Sequence, residues 1–252
     1  MSAMPQTIGD VIAELDGVIS WARTRGHRAG YFAVLYRSVT DHVRRAIQEG
    51  RFDDGARMER FDVVFARRYL RAFDQYRQGA SPGRSWGVAF EASETWSPIV
   101  LQHLLLGINA HINLDLGVAA AQTSPGAELP ALEGDFNRIM DILRGMIDDV
   151  QDRIDRVSPW MGVLDWVGGR SDEALMGFVI EKARAFAWRC AQQLAVEEDG
   201  AREAQLDLTD RLAAAVGEEV RDPDLWLRPV VFAVRMREPD DAAEVIDALG
   251  GT

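Results

Sequence analysis

An imidazole and a carboxylate one helical turn apart stand in the most apolar stretch of this chain, Leu101-Gln-His-Leu-Leu-Leu-Gly-Ile-Asn-Ala-His-Ile-Asn-Leu-Asp-Leu-Gly117. Wound at 100° per residue, His103, Gly107, His111 and Asp115 form one slowly drifting ridge. Gln102, Asn109 and Asn113 fall on a second arc, roughly 120–180° away by the same step. A helix that is apolar all round is a buried one. Its polar groups then need partners, water or a ligand, because each costs about 1–3 kcal/mol when unpaired. Gly107, about 1 kcal/mol worse than alanine inside a helix, predicts close approach by another helix or by a ligand.

His111 and Asp115 can face a single metal ion or a single hydrogen-bonded partner. His103 lies about 12 Å from His111 along the axis, too far to share an ion. Two chemistries follow. In one, His111, Asp115 and a further carboxylate, Asp62, hold one divalent ion that activates water or polarises an oxygen. In the other, His111 is the acid/base, Asp115 sets its tautomer, and Asn109 or Asn113 binds substrate. His103, Tyr36, Arg37 and Glu59 complete the expected set of substrate contacts. The plain alternative is that His111 donates to Asp115 and the asparagines bridge to neighbouring backbone. Asp62, between Phe61 and Val63, is expected to be buried, with Arg67, Arg68 or the central helix as its partner.

Apolar spacing places helices over 7–24, capped by Thr7, and over 31–49, 56–76 and 86–96. The central helix follows over 98–117, with Pro98 in its first turn. Further helices are predicted over 135–157, 172–197 (capped by Ser171), 206–220, 226–235 and 240–249. The loop over 122–134, rich in glycine and proline, stands where a lid would. Trp160 and Trp166 are expected to cap the core or line a pocket mouth. The segment 230–234 is the best strand candidate and is isolated. The expected architecture is all-α: one domain over 1–252, with 1–6 and 250–252 flexible, of about seven to nine helices around the buried helix.

The chain has 252 residues and a net charge of −12. That charge argues against nucleic acid or an anionic membrane as partner, since neither offers a counter-charge. A small apolar or mixed-polarity molecule is the expected partner, and the oligomeric state is left open. One cysteine, Cys190, rules out an intrachain disulfide. The start lacks an apolar signal core and no uninterrupted apolar run reaches bilayer length, so a cytoplasmic protein is expected.

Gly30-Tyr-Phe-Ala-Val-Leu-Tyr-Arg-Ser-Val-Thr40, Gly55-Ala-Arg-Met-Glu-Arg-Phe-Asp62, Arg68-Tyr-Leu70 and the central stretch together resemble an all-helical family of unknown function found in bacteria and fungi. The resemblance spans roughly residues 8–200. It implies a helical fold and brings no reaction with it. His111-x-x-x-Asp115 is also similar to the pairs on buried helices of zinc-dependent phospholipases C and single-strand-specific nucleases. This chain has four histidines and lacks their N-terminal tryptophan ligand. The similarity therefore implies at most one ion, at His111, Asp115 and Asp62. Asp148-Asp149-Val-Gln-Asp152 fits the magnesium-holding pattern of class I terpene cyclases, without a matching second triad downstream.

The sequence thus predicts a small-molecule enzyme of hydrolase, lyase or cyclase type. A non-catalytic helical ligand-binding protein and a magnesium-dependent terpene-type cyclase are the alternatives.

Overall fold

Apolar residues recurring every three or four positions wind most of the chain into helix. The computed structural model describes residues 4–158, 172–196 and 199–251, and among them are eleven helices and no strand. In chain order these are α1 (Ile8–Arg25), α2 (Gly30–Gln48), α3 (Gly55–Arg77), α4 (Arg84–Ser93), α5 (Val100–Thr123) and α6 (Leu129–Arg144). Then come α7 (Ile147–Val157), α8 (Asp172–Val196), α9 (Asp199–Arg221), α10 (Arg228–Arg235) and α11 (Ala242–Gly250). Trp160, Trp166 and Ser171 lie outside the described residues.

Local chemistry sets the boundaries. Thr7 Oγ1 accepts from Asp10 N at 3.1 Å while the Asp10 carboxylate accepts from Thr7 N at 3.0 Å, a reciprocal cap on α1. Gly26 ends that helix in the left-handed region, φ 61°. Asp54 caps α3 through Arg57 N.

Five expectations change. The helix predicted over 135–157 is two, broken at Gly145-Met146, and it starts earlier, at Leu129. Pro130 sits in its first turn, where a missing N–H costs nothing, so the proline opens a helix and does not extend a loop. Only Ser124–Glu128 separates α5 from α6, which leaves little for a lid. The strand candidate 230–234 lies in α10, opened by Pro229. Pro98 precedes the Ile99 N-cap of α5, and that helix runs on to Thr123. The count exceeds nine through the α6/α7 break and the short C-terminal helices.

Helix α5 touches α2, α3, α4, α6, α7, α8 and α9. By length and composition it could cross a membrane, contrary to the sequence expectation, but 78% of its most apolar window is buried inside the protein. That is the property of a core helix. Its close neighbours meet it at glycines: a Cβ on Gly107 would lie 2.4 Å from Phe32 Cγ of α2, and one on Gly117 2.6 Å from the Ala187 carbonyl of α8. Buried Glu238 accepts from Val100 N at 3.1 Å and from Ser158 Oγ at 2.7 Å, placing a carboxylate on the positive end of α5.

Candidate functional site

Midway along α5 the helix widens into a π-helical turn, His111–Leu116. Such turns interrupt the 100° step and recur at functional sites. The turn carries both His111 and Asp115, buried at 3% and 1% exposure.

Asp115 is fully engaged. Arg68 Nε of α3 donates to Oδ1 at 2.7 Å and Trp86 Nε1 of α4 donates to Oδ2 at 2.9 Å. His111 Nδ1 stands 3.6 Å from Oδ2, beyond hydrogen-bond length. Neither ring nitrogen of His111 has a hydrogen-bond partner among the described residues. Its imidazole is stacked on Phe65, centroids 3.6 Å apart, with Tyr36 edge-on at 4.3 Å. Burial holds the imidazole below its ordinary pKa, against the opposing pull of Asp115, so the ring is neutral near pH 7.

His111 lines a cavity of about 190 Å³. The wall is drawn from six helices, and the 3.6-residue period explains the spacing. Helix α2 supplies Phe32, Tyr36, Val39 and Val43; α3 supplies Phe61, Asp62 and Phe65; α5 supplies Ile108, His111 and Ile112. Phe136 and Ile139 of α6, Ile147 and Val150 of α7, and Ala183 and Arg184 of α8 close it. Beside His111, two more buried polar groups are left over. Asp62, 6% exposed, has no partner for Oδ2, and Tyr36 has none for its hydroxyl, among the described residues. Burial first, and the Glu59 charge second, push the Asp62 carboxyl up to about 8, so it is protonated at neutral pH. Tyr36 is driven well above its ordinary value by burial, with Asp62 and Asp115 adding to it.

The structure therefore brings three of the expected residues, His111, Asp62 and Tyr36, to one cavity, with Asp115 behind His111. The others lie elsewhere. Asn109 donates to the Ala213 carbonyl of α9 at 2.7 Å and accepts from Asn113 at 2.8 Å. Arg37 pairs with Asp16 at 2.7 Å on the surface. Glu59 accepts from Ile8 N at 3.3 Å and bears on the site only through its charge. His103 packs edge-on against Tyr31 near the N-terminus of α5, its pKa pushed down to about 3 chiefly by burial.

The expected ion site is not assembled. No group of three His, Cys, Asp or Glu side chains among the described residues is arranged to hold a metal ion. The reason is that Arg68 and Trp86 already occupy both Asp115 oxygens. Arg68 thus serves Asp115 and not Asp62, while Arg67 donates to the Pro5 carbonyl. Asp148, Asp149 and Asp152 are exposed, Asp149 pairs with Arg153, and none of the three belongs to the cavity wall.

Sequence reasoning missed Trp86, Phe65 and Phe32. A buried indole N–H demands an acceptor, which is the signal that could have joined Trp86 to Asp115. No pattern along the chain links Phe65 to His111.

No curated protein and no solved structure matches this chain. A family profile does, over residues 8–223, a span that contains every residue of the cavity wall. On that match, the chain belongs to the family of unknown function DUF5995.

Proposed function

We propose that the protein binds a small, largely apolar molecule in the cavity beside the π-helical turn, with the molecule's polar end against Asp62, Tyr36 and His111. One observation carries this reading: three buried side chains with unpartnered polar atoms meet a single cavity whose wall is otherwise almost wholly apolar. In solid packing such groups find partners, because each unmade bond costs about 1–3 kcal/mol. An engineered apolar cavity of about 150 Å³ stays dry and takes up benzene. The cavity here, about 190 Å³, suits a molecule of that scale or somewhat larger. The acidic net charge and the buried central helix support a small molecule over a nucleic acid or a membrane as partner.

The same geometry favours acid–base turnover over storage alone. A carboxylic acid with a pKa of about 8 can give up a proton near neutral pH, and a neutral imidazole can accept one. Phe65 and Tyr36 pack the imidazole in place. A hydrolase, lyase or cyclase working without a metal at His111 is consistent with the carboxyl and imidazole pair. A non-catalytic carrier is the second reading, favoured by how few polar groups face the cavity.

Thermal denaturation with ethylbenzene and indole tests the proposal. The expected result is a melting temperature that climbs with probe concentration. Ile139→Trp, which fills the cavity, should fold and lose that response. No shift with either probe overturns the reading.

A further inference from the structure

We propose that the polar end of the ligand is a cation, an amine carried on an apolar body. The inference rests on the pocket reading above and concerns the chemistry of its head group. Asp62 presents a carboxyl oxygen without a partner among the described residues, inside a wall that also contains the aromatic rings of Phe61, Phe65 and Tyr36. A buried carboxylate asks for a positive partner, and aromatic faces stabilise a desolvated ammonium further.

The charges around the site agree. Glu59, on the same helix, adds negative potential at Asp62. Asp115 is paired with Arg68, so that base is already neutralised. Tyr36 is a hydroxyl that stays protonated and can accept from an N–H. His111 is neutral. Arg184 of α8 is the one base in the described wall, and it is turned to Asn137 towards the surface. An anionic head would meet the Asp62 carboxyl, with the Glu59 charge behind it, and no free base among the described wall residues. A neutral alcohol would satisfy the hydrogen bonds without using the charge.

Binding has a definite proton balance. In the empty site near pH 7 Asp62 is the neutral acid and a free alkylamine is the ammonium ion. The bound pair, ammonium against carboxylate, holds one proton fewer, and that proton goes to the buffer.

Isothermal titration of the full chain at pH 6.5 with ethylbenzene, 2-phenylethanol, phenylacetate and 2-phenylethylamine separates the possibilities. The amine should bind at least about tenfold more tightly than the alcohol or the acid, a difference of about 1.4 kcal/mol. About one proton should be released per amine bound, read from enthalpies in two buffers of different ionisation heat. Asp62→Asn should keep ethylbenzene binding and lose the amine preference. Alcohol or acid bound as tightly as the amine, or no proton release, overturns the inference while leaving the pocket reading intact. Absence of binding by all four probes overturns both. The wild-type ranking decides the matter even where the Asp62→Asn chain does not fold.

Discussion

On the side of α5 that faces α9, the buried polar side chains Gln102 and Asn109 are answered. Gln102 accepts from Ile99 N and donates to the carbonyls of Val220 and Arg221 at the end of α9. Asn109 and Asn113 bond to each other and to the Ala213 carbonyl. On the side that faces α2 and α3, His111 lines a cavity together with Tyr36 of α2 and Asp62 of α3, each with a polar atom unanswered among the described residues. Both sides belong to the same buried helix, and both carry residues that read alike in sequence. Saturated polar groups lock one helix against another. Unsaturated ones beside a void are where an external molecule gains most, since it satisfies bonds that folding leaves open.

Substitutions on the two sides should therefore behave differently. The largest loss is expected at Asp115, which belongs to the saturated set although it stands behind His111. Asp115→Ala strands the Arg68 guanidinium and the Trp86 N–H in the interior and should cost about 3–5 kcal/mol in urea denaturation. Asn109→Ala removes one bond across the α5–α9 seam and one to Asn113 within α5, and should cost about 1–3 kcal/mol. A loss below about 0.5 kcal/mol there would erase the contrast between the sides.

Asp62 should reveal itself through pH. Its carboxyl is protonated in the folded state up to about pH 8 but ionises near 3.8 when unfolded. Its stabilising contribution is present below pH 3.8 and is lost as pH rises through 8, because the folded chain holds the extra proton in that window. Asp62→Asn should remove a downward slope of about 1.4 kcal/mol per pH unit between those limits. Denaturation curves at pH 5, 6 and 7 would read it, and equal slopes in both proteins would show that Asp62 is not protonated there. The smallest effect is expected at His111. His111→Leu forfeits no hydrogen bond and should cost less than about 1.5 kcal/mol, while changing the affinity for any cavity probe. A loss as large as that of Asp115→Ala would place His111 with the saturated set.

Much of the fold was legible. Thr7 as a cap, the helical periods of α1 to α3, and a buried helix near 98–117 all follow from residue types at short range. What escaped was of two kinds. Pro130 read as part of a loop, yet it opens a helix, because proline ends one helix and starts another by the same missing N–H. The π-helical turn at His111 was invisible to a fixed 100° step. That step assigned Asn109 and Asn113 to substrate, whereas Asn109 donates to α9 and accepts from Asn113.

Types and spacings along the chain were enough to set an all-helical protein, an acidic surface, and the concentration of His111, Asp115, Asn109 and Asn113 on one greasy helix, since these depend on neighbours within a turn or two. Which of those polar groups is answered and which is left lining a cavity depends on groups 29 to 104 positions away, Trp86, Arg68, Tyr36 and the Ala213 carbonyl among them. Only the packing of α2, α3, α4 and α9 onto α5 brings those partners within the 3 Å or so at which a hydrogen bond is made. It was at that scale that Asp115 was taken out of the proposed ion site and Asp62 Oδ2 was left without a partner among the described residues.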